Sequence, residues 1–283
     1  MKDLQYQTTL RAKLEFDGVG LHTGAPSRVT LLPAQAKSGL QFVLEGGVRF
    51  PGTAEYVVET SRATVLGTGG RTVSTVEHLL AALFGMGIDN VEIHVSGPEI
   101  PVMDGSAKLF ADAISSAGTI SLDKPRMRFV PTSPTFFRDG DRSLIVLPAA
   151  SFRIKFMAEY AAPIGTQFFD SEITPRVFSQ EVAASRTFGY LHEVEGLRRR
   201  GLALGGTLEN AVVFAPDGPM QALRWPNEPV RHKVLDMIGD LALLGAWPQC
   251  EIIAIKSGHK LHCLATQELR RGLLTTLPSA RVR

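Results

Sequence analysis

The sequence predicts an α+β fold made of two similar layers of sheet and helix. Three observations predict it. Runs with strand character recur in both halves, at residues 27–32, 40–44 and 90–95 and again at 143–147, 152–157 and 251–256. Each half holds one amphipathic helix that carries a histidine away from its apolar stripe, one starting at Ser74 and one spanning Val230 to Leu241. Each of these helices leads through a glycine-containing turn to an apolar strand: Glu77-His78-Leu79-Leu80 to Val91-Glu92-Ile93-His94, and His232-Lys233-Val234-Leu235 to Glu251-Ile252-Ile253-Ala254. Many α+β domains share this order, so it is a weak repeat signal. It still suggests two layers packed face to face, with a ligand site between them.

The elements follow in order. Residues 6–16 read as strand, and Leu21-His22-Thr23-Gly24 as a turn. After the first histidine helix and its strand, Met103-Asp104-Gly105-Ser106 marks a turn and Ala107 to Ala117 a second helix. Ser121-Leu122-Asp123-Lys124-Pro125 reads as a linker, which divides the chain into domains 1–122 and 126–283, and strand character resumes at 126–130. A helix from Tyr190 to Arg200 stops at Gly201, a good residue just past a helix end. Its Arg198-Arg199-Arg200 could be a phosphate patch, but a charged last turn complementing the helix dipole is the more economical reading.

Composition narrows the function. A chain of 283 residues with 44% hydrophobic and 20% charged residues builds a sizeable core and is ordinary for a globular protein. A net charge of +2 does not support bulk nucleic-acid binding, yet leaves room for a local basic pocket for a phosphorylated ligand. The two cysteines, Cys250 and Cys263, are too few for a disulfide framework or a thiolate zinc site, so any metal is held by His and carboxylate. No apolar run suits a signal peptide or a membrane span, and nothing argues for an oligomer. A cytoplasmic monomer is expected, with at most transient contact with a membrane.

The helix from Val230 is the most informative segment. Val234, Leu235, Ile238, Leu241 and Ala242 form its buried stripe, while His232, Asp236 and Asp240 fall together on the opposite face. His and Asp at i and i+4 can reach one divalent metal. The plainer alternative is a capping or packed histidine beside aspartates paired with Arg231 and Lys233. In the earlier helix, Val76, Leu79, Leu80 and Leu83 define the core face and His78 lies nearly opposite. Ser74-x-x-Glu77 matches a capping box, and locally that is the simpler role for Glu77. Taken jointly, His78, His232 and Asp236 offer two imidazoles and a carboxylate, the three-ligand pattern of catalytic zinc with one position open. Such a site needs a carboxylate base, and Glu77 adjoins a ligand. It also needs an acid, and a loop after the last strand could aim His259 inward, with Asp240 holding its charged form.

Together with Gly18-Val19-Gly20-Leu21-His22-Thr23-Gly24, five further segments carry a specific resemblance: Ser74-Thr75-Val76-Glu77-His78-Leu79, Glu99 to Ser106, Ser185-Arg186-Thr187-Phe188-Gly189, His232 to Asp240, and Lys256-Ser257-Gly258-His259. In this order they resemble the UDP-3-O-acyl-N-acetylglucosamine deacetylase family of lipid A biosynthesis. The resemblance implies two α+β domains, each a small sheet layered on helices, with the active site at their junction and an acyl-passage insert in the second domain near 183–206. It implies one catalytic Zn2+ held by His78, His232 and Asp236, with Glu77 as base, His259 as acid, Asp240 orienting His259 and Thr187 beside the oxyanion. It places Lys233 near the ligand and Lys256 on the nucleotide side, with Arg142 and Tyr160 as weaker candidates there. Phe188, Tyr190 and Val194, with Leu191 and Leu197, are expected along the acyl chain, although a helical apolar stripe can equally be core packing. His22 falls in a matching motif, with a turn role at least as apt as approach to the metal. His94, His192 and His262 have no partner at metal spacing. Some members carry a cysteine where this chain has Ala63, which touches none of the proposed chemistry. Iron or cobalt could occupy the same ligands. Two other readings stay open: a zinc amidohydrolase of this fold acting on another acylated or nucleotide-linked amide, and a metal-stabilised binding protein without catalysis.

Overall fold

The computed structural model describes residues 5–276. Two five-stranded sheets of one plan dominate it. The first contains β1 (Leu14–Val19), β2 (Pro26–Pro33), β3 (Leu40–Leu44), β4 (Val48–Pro51) and β5 (Val91–Ser96), in the order β1-β2-β5-β3-β4. The second contains β6 (Thr135–Asp139), β7 (Arg142–Pro148), β8 (Arg153–Glu159), β9 (Thr166–Glu172) and β10 (Cys250–Ile255), in the order β6-β7-β10-β8-β9. In each sheet every neighbouring pair is antiparallel except one: β5 runs parallel to β3, and β10 runs parallel to β8.

The helices repeat as well. α1 (Glu77–Gly85) precedes the central strand of the first sheet and α2 (Lys108–Ala117) follows it. In the second half, after α3 (Leu191–Arg199), α4 (Glu228–Ala242) precedes the central strand and α5 (His259–Thr276) follows it. The weak rhyme in the sequence is therefore a repeat of strand order, parallel pairing and helix placement. Period-two burial explains the sheets: Ile154, Phe156 and Ala158 of β8 face the core while alternate residues do not.

α1 and α4 pack against each other at the centre of the molecule. Every residue of α1 is buried, and α4 is buried except at Arg231 and Lys233. The face of α4 that bears His232, Asp236 and Asp240 is thus not an outer face, because it meets α1 and α5 rather than solvent. The approach is close enough that a Cβ on Gly239 would lie 2.1 Å from the Glu77 carbonyl oxygen. One apolar cluster runs through both halves, and Phe84 of α1 stacks on Trp247 at 4.9 Å between ring centroids.

Several local expectations are corrected. The capping box does not form: α1 begins at Glu77 itself with Val76 as its cap, and the Ser74 hydroxyl donates to the Pro98 carbonyl instead. Thr75 takes φ +54, and its hydroxyl donates to buried Glu99, which turns the chain before helix can start. His259 is the first residue of α5 rather than part of a loop. The segment read as a linker belongs to strand Thr119–Pro125, which pairs with Tyr6–Leu10. The run at 6–16 is broken between Tyr6–Leu10 and β1, and strand structure at 126–130 shrinks to Arg128–Phe129. Gly201, with φ +74, ends α3 as expected. Among the described residues, no helix is long and apolar enough to cross a membrane.

Candidate active site

The central helix pair brings His78 from α1 together with His232 and Asp236 from α4. One nitrogen from each imidazole and one carboxylate oxygen lie within 4.8 Å of one another, all buried. His232 Nε2 is 3.3 Å and His78 Nε2 3.7 Å from Asp236 Oδ1. Asp236 Oδ1 accepts no hydrogen bond despite its burial. His232 Nδ1 faces the Ser185 carbonyl at 3.1 Å. That oxygen can only accept, so Nδ1 carries the hydrogen and Nε2 keeps a lone pair. Burial, reinforced by the neighbouring imidazole, lowers the His78 pKa to about 3, and burial also lowers that of His232, so both rings are neutral. Burial opposes ionisation of Asp236, but the cationic Lys233 and His259 outweigh it and hold the carboxyl below the usual range. Two neutral imidazoles, one ionised carboxylate and an orphaned buried oxygen fit a divalent cation.

Glu77 and His259 stand beside this group. His259 Nε2 is 3.6 Å from Glu77 Oε1 and 3.8 Å from Asp236 Oδ2. Its Nδ1 donates to Asp240 Oδ2 at 2.9 Å. Burial works against the imidazolium, yet Asp240, Glu77 and Asp236 raise its pKa to about 9. Burial raises Glu77 to about 7 against the pull of His259, with Asp236 and Asp240 adding to the rise. Burial also opposes ionisation of Asp240, but its two histidine neighbours bring it down to about 2. Lys233 forms a short ion pair with Asp236 Oδ2. Burial disfavours its ammonium, but Asp236 and Tyr160 overcome this and raise the pKa above the ordinary lysine value.

The supporting frame explains why the motifs read as they do. Arg186, in the segment after Ser185, makes a buried pair with Glu228 at 2.9 Å and so ties that segment to the first turn of α4. Glu99 accepts from the backbone of His22 and Thr23 and from the Thr23 and Thr75 hydroxyls, fixing the Gly18–Gly24 turn against the entry to α1. Gly20 is required there, because a Cβ would lie 2.2 Å from Glu99 Oε2.

The site opens into a cavity of about 960 Å³ lined by Glu77, His78, His232, Asp236 and His259 together with α3. Residues 7–271 match the protein family described as UDP-3-O-acyl N-acetylglycosamine deacetylase (LpxC). A relative from Geobacter sp. (strain M21) is 44% identical over 279 residues, covering 96% of this chain and 92% of its own. Relatives from Myxococcus xanthus (strain DK1622), 46% identical over 266 residues, and Nostoc sp. (strain PCC 7120), 40% over 273, cover 90% and 93% of this chain and 83% and 98% of their own. All three are named UDP-3-O-acyl-N-acetylglucosamine deacetylase. The chain belongs to this deacetylase family.

Most of the residues singled out in the sequence line one cavity. Thr187, Phe188, Tyr190, Val194, Arg142, Tyr160 and Lys233 line the same large cavity as the ligand group. Leu191, Val194 and Leu197 line it from α3, and no residue of α3 is buried, so this stripe is not core packing. Phe188 stands edge-on to both Tyr160, at 5.2 Å, and His232, at 6.0 Å. Asp240 lies behind the cavity and reaches it only through His259. Lys256 is apart from the main cavity and lines a smaller one of about 350 Å³ with Arg142, Tyr160 and Lys233. There its ammonium is held by Glu159 at 2.8 Å and Asp141 at 3.2 Å. His22 lines the main cavity at a turn and does not join the His78, His232 and Asp236 group.

Three residues of the site escaped the sequence reading. Thr64 donates its backbone N–H to Glu77 Oε2 at 3.0 Å and its hydroxyl to Asp240 Oδ1 at 2.6 Å. His262 and Ser257 form a buried chain behind Asp240, with Ser257 Oγ to His262 Nε2 at 2.8 Å and His262 Nδ1 to Asp240 Oδ2 at 3.0 Å. His262 follows His259 by three residues on one helix face, and that spacing is the signal that could have found it.

Proposed function

We propose that this chain hydrolyses the N-acetyl group of UDP-3-O-acyl-N-acetylglucosamine to acetate and UDP-3-O-acyl-glucosamine, in lipid A biosynthesis, as a zinc-dependent cytoplasmic monomer. The observation that carries this reading is the facing of Glu77 and His259 at 3.6 Å beside three buried ligand atoms in the wall of one large cavity. His78, His232 and Asp236 would hold the ion. When bound, a divalent ion there supplies a Lewis acid for the amide carbonyl and lowers the pKa of water.

The chain's own residues do the remaining work. Glu77 takes a proton from the attacking water as its oxygen bonds to the carbonyl carbon. His259 gives a proton from Nε2 to the amide nitrogen as the C–N bond breaks, leaving acetate and a free amine. Asp240 keeps Nδ1–H aimed away from the reaction and stabilises the imidazolium. Thr187 offers its hydroxyl to the oxygen that gains negative charge. Phe188, Tyr190 and Val194 give the acyl chain an apolar wall. Lys233, Arg142, Tyr160 and Lys256 surround the smaller cavity, where a diphosphate would compete with Asp141 and Glu159 for the Lys256 ammonium.

Incubation with UDP-3-O-acyl-N-acetylglucosamine should release acetate, stop on chelation, and resume when Zn2+ is returned. Folded, zinc-loaded protein that releases no acetate would sink the substrate assignment. Recovery with Fe2+ or Co2+ but not Zn2+ would overturn the choice of metal.

The pH dependence has a defined shape. Glu77 must be ionised, which fails as pH drops through about 7, and His259 must be protonated, which fails as pH rises through about 9. The profile of kcat/KM is therefore a bell between these limits. A bound cation favours the deprotonated form of both groups and moves both limbs to lower pH. An alkaline limb that stays flat would remove His259 from the acid role.

A further inference from the structure

Behind His259, the fully buried Asp240 carboxylate receives three hydrogen bonds. Oδ1 accepts from the Thr64 hydroxyl at 2.6 Å, and Oδ2 accepts from His259 Nδ1 at 2.9 Å and His262 Nδ1 at 3.0 Å. An ionised carboxylate offers no hydrogen, so both imidazoles must carry theirs on Nδ1. Both Nδ1 atoms are thereby committed to one oxygen, which makes Asp240, His259 and His262 a hydrogen-bonded cluster rather than a second ligand set. His262 has no exposed surface and packs edge-on against Phe156, with ring centroids 6.1 Å apart. Its remaining nitrogen, Nε2, lies 2.8 Å from Ser257 Oγ, and a neutral ring with hydrogen on Nδ1 accepts a hydrogen bond from that hydroxyl there.

We propose that His262, oriented by Ser257, is a positioning residue for His259. Its Nδ1–H pins Asp240 Oδ2 at the one point where that oxygen also accepts the Nδ1–H of His259, so Nε2 of His259 stays directed at Glu77. The inference rests on the reading of His259 as the acid, while the holding of its ring can be tested without turnover. His262 touches neither cavity, so it acts through Asp240 and His259 alone. Without it, Asp240 Oδ2 keeps His259 as its one donor and the carboxylate is held from outside only by Thr64 at Oδ1, so the oxygen that aims the His259 ring loses one of its two fixed points. The whole chain of contacts, Ser257 to His262 to Asp240 to His259, is built from short links, none of which borders on a proposed metal ligand until the last ring.

The test uses the full-length protein with His262→Leu, which keeps bulk but no donor, and His262→Asn, whose side-chain amide can place an N–H near the position of Nδ1. In zinc-loaded protein, His262→Leu should lower kcat about tenfold or more, the loss of one hydrogen bond to a buried charge. KM should stay within about twofold, since no substrate contact changes. His262→Asn should recover most of the rate. In metal-free protein, proton NMR should show low-field imidazole N–H resonances. The His259 signal, assigned by its loss in His259→Gln, should move in His262→Leu and return toward its place in His262→Asn.

A wild-type rate in His262→Leu, or a lowered rate with the His259 resonance unmoved, overturns the proposal. Wild-type protein that releases no acetate but whose His259 resonance depends on His262 leaves the positioning intact and removes the deacetylase reading. If His262→Leu does not fold, Ser257→Ala carries the test through the His259 resonance, because Ser257 also lines the smaller cavity and its rate would report a substrate contact as well. An unmoved resonance in that variant overturns the proposal as well.

Discussion

Glu77→Gln protein is expected to fold, bind its metal and lose about 10²- to 10⁴-fold in kcat, the range for removing a general base. The two side chains have nearly the same shape. The amide oxygen can still accept from the Thr64 backbone N–H, which reaches Glu77 Oε2 at 3.0 Å. None of the three proposed ligands changes. What goes is the ability to take a proton, together with the charge that His259 faces at 3.6 Å. Removing that charge also lowers the His259 pKa, because Glu77 is among the groups that raise it. The alkaline limb of the residual activity should therefore move down in pH. Metal content by elemental analysis and kcat on the N-acetyl sugar check the two halves of the prediction. Near wild-type kcat with full metal content removes Glu77 from the base role. A pure helix cap would also tolerate this change, but the structure has no such cap to preserve.

Asp236→Ala should fail differently, losing the metal as well as stability. Asp236 is the buried counter-charge of Lys233 and the carboxylate between His78 and His232. Removing one partner of a buried ion pair leaves the other uncompensated. The expected cost in metal-free protein is about 3 kcal/mol, the low end for such pairs, because Lys233 borders both cavities and can reach water. Added Zn2+ should raise the melting temperature of the wild type by mass action and leave that of Asp236→Ala unmoved. Thermal melts with and without Zn2+ give both numbers. A variant that still melts higher with Zn2+ would show that the ion is held elsewhere.

Much of this was legible before the fold was known, for identifiable reasons. The apolar stripes of α1 and α4 recur at helical spacing, so both helices could be read, and the residues off those stripes were the ligand candidates. The motif order located Thr187, Phe188 and the α3 insert, which reach the same cavity as Glu77 and His78 although the two groups lie far apart in the chain. The errors have physical causes too. Ser74-x-x-Glu77 has the letters of a capping box, but the pull of Glu99 on Thr75 is a tertiary contact that no local pattern contains. The polar segment Ser121–Pro125 has linker composition because it lies in an exposed strand, whose ladder to Tyr6–Leu10 spans the first half of the chain. A rule based on metal spacing passed over His262, since its partner Asp240 lies 22 residues earlier and the bond is to a carboxylate, not to a metal. Thr64 lacks any periodicity of its own. Its role arises where β-structure from the first half meets α4 and α5.

The Thr64 hydroxyl meets Asp240 across 176 residues of sequence and touches His259 Nδ1, at 3.2 Å, across 195. During synthesis the groups therefore emerge in a fixed order. Thr64, Glu77 and His78 come first, the other two ligands much later, and His259 and His262 last. The central strand of the second sheet, β10, also follows α4, so the second half can close as a unit only when nearly all of it has been made. The gathering of the three ligands and the pairing of Glu77 with His259 therefore both wait for the last strand and helix, so the capacity to hold an ion and the capacity to cut an amide arrive together.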